Sequence, residues 1–284
     1  TRGDFSGAFL QAGVAELTMA AVANGIALHG GIIVACGTFF VFSDYMKPAV
    51  RLAALMGLPV KYVWTHDAFR VGEDGPTHQP VEQEAQIRLM EQLKNHHGLN
   101  SILVLRPADV HETTMAWKLA LENTQTPTAL LLTRQNIPTL PPQKGSTRLA
   151  DAAQIAKGAY ILKDTADPDV ILLANGSEVS TQMAGAQKLE ETGLRVRVIS
   201  APSEGLFRLQ PAEYQHKVLP QGVPVFGLTA GLPVTLKGLA GPNGTVFGLD
   251  HFGYSAPYKV LDEKFGFTAD NVVKQVKALL DGLK

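Results

Sequence analysis

The sequence predicts an α/β protein built of two three-layer domains, the first with a mainly parallel sheet. Three observations carry this expectation. A chain of 284 residues is longer than one comfortable core. Short apolar runs alternate with helix-length segments, the pattern of a parallel sheet covered on both faces. The stretch IPTLPPQKGSTRLA (137–150) holds three prolines and little periodicity, and the alternation restarts beyond it. The expected division is a first domain over 1–140, a linker over 141–150 and a second domain over 151–284.

Each element has its own warrant. Residues 12–29, AGVAELTMAAVANGIALH, are good helix formers stopped by Gly30-Gly31. GIIVAC comes next as a short β-branched run of the buried-strand kind. Residues 43–56 read as a helix in which Pro48 marks a kink or a late start. PVKYVW (59–64) is the next strand, and the loop VGEDGPTHQPVEQ comes after it. VEQEAQIRLMEQLKNH is a well-charged amphipathic helix with Gln83, Ile87, Met90 and Leu93 near one stripe. SILVLRP (101–107), VHETTMAWKLALEN and ALLLTRQ (129–135) continue the alternation. In the second half DVILLANGS and RVRVIS are strands around the helix EVSTQMAGAQKLEET. VPVFGL and TVFGLD extend the series, and ADNVVKQVKALL is a closing helix.

Composition narrows the function. A formal charge of −1 offers no bulk attraction for nucleic acid or an anionic membrane, so the expected partner is a small molecule or another protein. One cysteine, Cys36, excludes an internal disulfide and fits a reducing compartment. The apolar stretches are too short or interrupted to span a bilayer, and the expected location is the cytoplasm. The opening TRGDFSGAFLQ has no initiator methionine and no obvious first strand, the mark expected of a fragment or of one subunit of something larger.

In open parallel sheets ligands bind outside the carboxyl ends of the strands. His66, Arg106 and Arg134 come directly after three of these strands, and such a cationic rim suits an anionic substrate such as a sugar phosphate. Arg106, next to Pro107, is read more simply as a maker of surface ion pairs. His66 is equally a ligand or a satisfied loop histidine. Glu16 stands on an apolar helix, with Met19, Ala20 and Ala23 as its helical neighbours. It either meets a specific partner or points to solvent from the first turn and complements the helix dipole. Phe39, Phe42 and Tyr45 are spaced by three, as an aromatic core would be, or as the lining of a flat heterocycle. Within VGEDGPTHQPVEQ, glycines and prolines shape the backbone while Glu73, Asp74, His78 and Glu82 present titratable groups. No phosphate loop, dinucleotide fingerprint, HExxH, paired cysteines or GxSxG is present, so hydride transfer, zinc hydrolysis and NTP hydrolysis lose support.

GVAELTMAAVANGIALHGG, TFFVFSDYMKPAVRLAALMGLPV, THDAFRVGEDGPTHQPVEQ and TALLLTRQN together resemble the second half of the transketolase family. HFGYSAP and EKFGFTADNVV resemble its C-terminal domain. The resemblance runs along almost the whole chain. It implies a thiamine-diphosphate-binding domain of the pyrimidine type lacking its first elements, followed by a transketolase C-terminal domain. It implies thiamine diphosphate at a dimer interface, with a divalent metal (Mg or Ca) and the diphosphate held by a half this chain lacks; no metal ligand is expected here.

By the same likeness Glu16 hydrogen-bonds N1′ of the aminopyrimidine and activates the cofactor as nucleophile. Phe39, Phe42 and Tyr45 surround that ring. His78 lies near the reacting oxygens as donor or proton shuttle, Asp74 meets a sugar hydroxyl, and His66 and Arg134 meet the sugar phosphate. The reaction implied moves a two-carbon ketol unit between ketose and aldose phosphates, and the chain alone is expected to be inactive. GVAELTM departs from the family, which often has an arginine before the glutamate and a phenylalanine after it. Two other readings stay open: a related thiamine enzyme, such as deoxyxylulose phosphate synthase or a dehydrogenase β subunit, and a non-catalytic half used for dimerisation or regulation. His251 of HFGYSAP is given no chemical role, since a loop histidine capping a strand explains it.

Overall fold

The structure, a computed structural model, describes residues 8–283; residues 1–7, which open the stretch TRGDFSGAFLQ, and Lys284 lie outside the described residues. The first domain contains α1 (Glu16–His29), β1 (Ala35–Phe39), α2 (Ser43–Met56), β2 (Lys61–Thr65), α3 (Gln83–Gln92), β3 (Leu103–Leu105), α4 (Val110–Glu122) and β4 (Thr128–Leu131). Its four strands run parallel in the order β1-β2-β4-β3. The second domain contains α5 (Arg148–Ala152), β5 (Tyr160–Lys163), β6 (Val170–Ala174), α6 (Glu178–Glu190), β7 (Val196–Ser200), α7 (Glu204–Arg208), α8 (Ala212–Val218), β8 (Val225–Leu228), α9 (Val234–Ala240), β9 (Thr245–Phe247), α10 (Tyr258–Phe265) and α11 (Ala269–Asp281). Its sheet has the order β5-β7-β6-β8-β9, with β5 antiparallel to β7 and the other pairs parallel. Two α/β domains are therefore present, one parallel and one mixed.

Several local expectations shift. The strand after Gly30-Gly31 is ACGTF rather than GIIVAC, and Ile32 and Ile33 are 68% and 67% exposed. Among the described residues β1 has a partner only on its β2 side, and its apolar approach is not enclosed by them. α2 runs from Ser43 through Pro48 without a late start; Pro48 lies past the first turn, so the helix gives up one backbone hydrogen bond there. Of the stripe expected on α3, Ile87 and Gln83 are buried, but the helix ends at Gln92 and Leu93 is extended and exposed. The strand β5 and the short helices α5, α7, α8, α9 and α10 had no periodic signature, being too short for one.

The charged face of α3 is the largest departure. Glu84, Arg88 and Glu91 are buried, not solvated. Arg88 bonds Glu84 at 3.2 Å, Glu91 at 3.5 Å and the carbonyl of Pro202 in the second domain at 3.2 Å. Glu91 accepts from the backbone of Gly205 and the hydroxyl of Ser203. Arg106, expected at the surface, is only 1% exposed. It bonds Asp67 at 2.8 Å and Asn175 Oδ1 at 2.6 Å, and pairs with Glu178 at the start of α6. Its guanidinium fits there because residue 176 is glycine: a Cβ on Gly176 meets Arg106 Cζ at 2.6 Å. The two domains thus meet across a buried ionic layer, which the polar character of these side chains concealed. Arg148, in the stretch 141–150 expected as linker, is buried as well and bonds Asp109, Glu112 and Tyr160.

Candidate active site

Phe39 is the last residue of β1; Phe40–Phe42 form a single 3-10 turn, and Ser43 opens α2. TFFVFSDY is therefore strand, turn and helix in succession, and the turn brings the three rings of the sequence motif into a row. Phe39 and Phe42 stack with centroids 6.1 Å apart and planes 9° from parallel, and Phe42 and Tyr45 stack at 6.0 Å and 24°. Phe40, between them, turns inward and packs on Trp64 in the core. The row is partly open: Phe39 and Phe42 are half-buried and Tyr45 is 63% exposed.

His66 directly follows Thr65, the end of β2, and adopts a left-handed backbone with φ of 59°. That conformation costs a non-glycine residue on the order of 1–3 kcal/mol, and such strain gathers where a side chain must be aimed. Its imidazole lies on Phe39 with centroids 3.5 Å apart and planes 17° from parallel, and Thr65 Oγ1 is 2.9 Å from its Nδ1. His78 approaches the same rings edge-on, 6.4 Å from Phe39 and 5.4 Å from Phe42. Burial lowers the pKa of His66 and so does the positive charge of Arg134; the Asp74 carboxylate opposes them, and His78 adds to the lowering. The four groups therefore share one electrostatic neighbourhood. Arg134 and Asp74 are exposed there, Arg134 beyond the end of β4 and Asp74 at the close of the 3-10 segment Phe69–Asp74.

The structure thus brings Phe39, Phe42, Tyr45, His66, Asp74, His78 and Arg134 to the carboxyl ends of β1, β2 and β4. Glu16 is half-buried in the first turn of α1, on the helix face where Ala20 and Ala23 enter the core. Among the described residues, no hydrogen bond or ion pair joins it to this cluster. α1 packs against α2 and β1, the two elements that carry the rings. Arg106 leaves the rim altogether for the domain interface. His251 is exposed, with Nδ1 2.7 Å from the Phe252 carbonyl oxygen, on the flank of the 66–80 segment.

Sequence patterns gave no sign of how that segment is held. Arg70 bonds Glu178 at 2.5 Å, Ser177 at 3.0 Å and Asp262 at 2.8 Å. The only hint in the sequence was an arginine between two apolar residues, and its partners lie more than a hundred positions away.

An open parallel sheet whose strand ends carry stacked rings, two imidazoles and an arginine has the lining and charge that suit a flat heterocycle and an anion. A family model for the transketolase pyrimidine-binding domain matches residues 2–139, and one for the transketolase-like C-terminal domain matches residues 158–268. The transketolase of Halalkalibacterium halodurans is 48% identical over 283 residues, which is 99% of this chain and 40% of that protein. Transketolase from Leishmania mexicana superposes with a TM-score of 0.84 at 42% identity, over 95% of this chain and 37% of that one. A Pichia stipitis transketolase in complex with sedoheptulose-7-phosphate superposes with a TM-score of 0.86 at 37% identity, over 98% of this chain and 39% of that one. The chain belongs to the transketolase family and corresponds to the pyrimidine-binding and C-terminal domains of its members. It spans about 40% of the length of the curated relatives it matches. No helix among the described residues is long and apolar enough to cross a membrane.

Proposed function

We propose that this chain supplies the C-terminal half of a transketolase, which transfers a two-carbon ketol unit between ketose and aldose phosphates in the cytoplasm. The diphosphate-binding half, with thiamine diphosphate and its divalent metal (Mg or Ca), completes the enzyme as a dimer. The observation that carries this reading is the single face on which His66, His78, Asp74 and Arg134 surround the ring row of Phe39, Phe42 and Tyr45. The domain division we favour is 1–140 and 151–284 joined by 141–150.

The residues fit the cofactor's pyrimidine. Phe39, Phe42 and Tyr45 present near-parallel, partly open ring faces, the lining that a flat heterocycle requires. Glu16 supplies a half-buried carboxylate on a helix packed beside them, suited to hold a proton at a ring nitrogen. When bound, thiamine diphosphate supplies the nucleophilic carbon and the electron sink. Asp74 then accepts from a sugar hydroxyl, and Arg134 meets the sugar phosphate with a planar guanidinium. His66, held toward its neutral form, donates to the same phosphate without adding a second full charge. His78 holds or moves a proton at the reacting oxygens.

The test is a calorimetric titration of thiamine diphosphate with and without an added diphosphate-binding half, followed by assay with ketose and aldose phosphates against pyruvate. Turnover of the sugar phosphates by the assembled protein alone supports the reading. Preference for pyruvate assigns a related thiamine enzyme, and cofactor binding without turnover assigns a non-catalytic half.

A further inference from the structure

The 66–80 segment is attached to the second domain at Phe69, Arg70, Glu73 and Gln79, and at Asp67 through Arg106. Phe69 is fully buried in the second domain's core, 5.2 Å from Phe265 and 4.8 Å from Phe267. Asp67 and Arg70 reach one carboxylate, Glu178: Arg70 at 2.5 Å and Asp67 through Arg106. Ser255 donates to the carbonyl of Glu73 at 2.5 Å, and the Gln79 amide donates to the carbonyls of Gly72 and Tyr254, both at 3.0 Å.

Between these attachments His78 lies edge-on to the rings and the exposed Asp74 acts through its charge on His66. We propose that the second domain sets the position of Asp74 and His78, with Glu178 and Gly253 as the positioning residues. The inference rests on the reading of the 66–80 segment as substrate-facing. Freeing a connection of this length at one anchor multiplies its accessible conformations, and displacement of a positioned group by about 1 Å can cost roughly 100-fold in rate. Glu178 is the shared anchor, completely buried and contacting two guanidiniums. Gly253 is the close approach: a Cβ there collides with Oε1 of Gln79, the neighbour of His78. A buried ion network of this kind is seldom more stabilising than apolar packing of the same volume, so its directional character matters more here than its strength.

The test uses the chain assembled with the diphosphate-binding half. Glu178→Gln and Gly253→Ala are each expected to lower kcat/KM for a ketose phosphate roughly 10- to 100-fold. KM should rise more than kcat falls, while half-saturation by thiamine diphosphate stays at the wild-type value. Wild-type kcat/KM in folded Gly253→Ala protein overturns the proposal, and so does an equal loss of substrate and cofactor affinity, which marks general damage. Gly253 has no left-handed backbone requirement, so its alanine variant keeps the test decisive even where Glu178→Gln fails to fold. His78→Ala and Asp74→Asn are measured alongside. Unchanged kinetics in those two overturn the substrate-facing reading itself, whereas their loss beside an unaffected Gly253→Ala overturns the positioning role alone.

Discussion

The imidazole of His66 lies flat on the phenyl ring of Phe39, with centroids 3.5 Å apart and planes 17° from parallel. One ring closes β1 and the other comes just after β2, so the register of two neighbouring strands, Phe39 opposite Thr65, fixes the stack. Truncating the ring is therefore expected to act on both the heterocycle lining and the imidazole. Phe39→Ala should weaken thiamine diphosphate binding in the assembled protein by roughly 3- to 10-fold, the worth of one aromatic contact. Calorimetric titration measures it; an unchanged dissociation constant removes Phe39 from the lining.

Glu16→Gln in the assembled protein should lower turnover roughly 10²- to 10⁴-fold, the range of a lost proton-transfer group. Its thermal midpoint should stay at the wild-type value, because the half-buried carboxylate bonds no described residue. Steady-state assay and calorimetry of the same preparation separate the two effects, and near-normal turnover takes Glu16 out of the chemistry.

His66 is expected to titrate below the ordinary histidine range, through burial first and the Arg134 charge second. Arg134→Gln should raise its pKa, and Asp74→Asn should lower it further by removing the opposing carboxylate. Proton NMR of the imidazole tracks both. Between the folded and unfolded pKa values the unfolded chain binds the extra proton, so this histidine's contribution to stability is lost as pH falls through that window.

At the domain interface, burial pushes the Glu178 carboxyl up, but the guanidiniums of Arg106 and Arg70 prevail and hold it at about 2. Its contribution to stability is complete above the ordinary value of 4.5 and is lost as pH falls from there toward 2. Asp67, hydrogen-bonded to Arg106 alone, is pushed up by burial first, and the negative charge of Glu178 adds to the rise. Arg106→Met leaves these carboxylates without their shared partner and should cost about 3–5 kcal/mol. Lys118→Ala, which breaks an exposed pair with Glu122 on α4, should cost at most about 0.5 kcal/mol. Denaturant melts of the two variants compare them directly.

Cys36 carries a thiol pushed up to about 12 by burial. Alkylation at pH 8 should be slow in the folded protein and should accelerate on unfolding, since only the thiolate reacts. Mass spectrometry over a time course records the rate.

The alternation of apolar runs with helix-length segments was enough to establish two α/β domains and to place most strands within two or three residues. It also placed His66 and Arg134 beyond strand ends, because the direction of a parallel strand decides which residues emerge at its carboxyl edge. The shift from GIIVAC to ACGTF was not legible, since a β-branched run looks the same whether or not a neighbour covers it. The roles assigned to Glu16, Asp74 and His78 came from family likeness, and no spacing of residues carries them.

By itself, the sequence determined the domain types, the order of elements and the aromatic spacing that one 3-10 turn converts into a row of rings. These are consequences of local periodicity and of neighbours a few residues apart. Only the tertiary structure decided that Arg106, Glu84, Arg88 and Glu91 are buried rather than solvated, and that Arg70 meets Glu178. Charged side chains read as surface until their partners are seen, and here those partners come both from the same domain and from the other one, where Coulomb attraction and hydrogen bonds replace the water they give up.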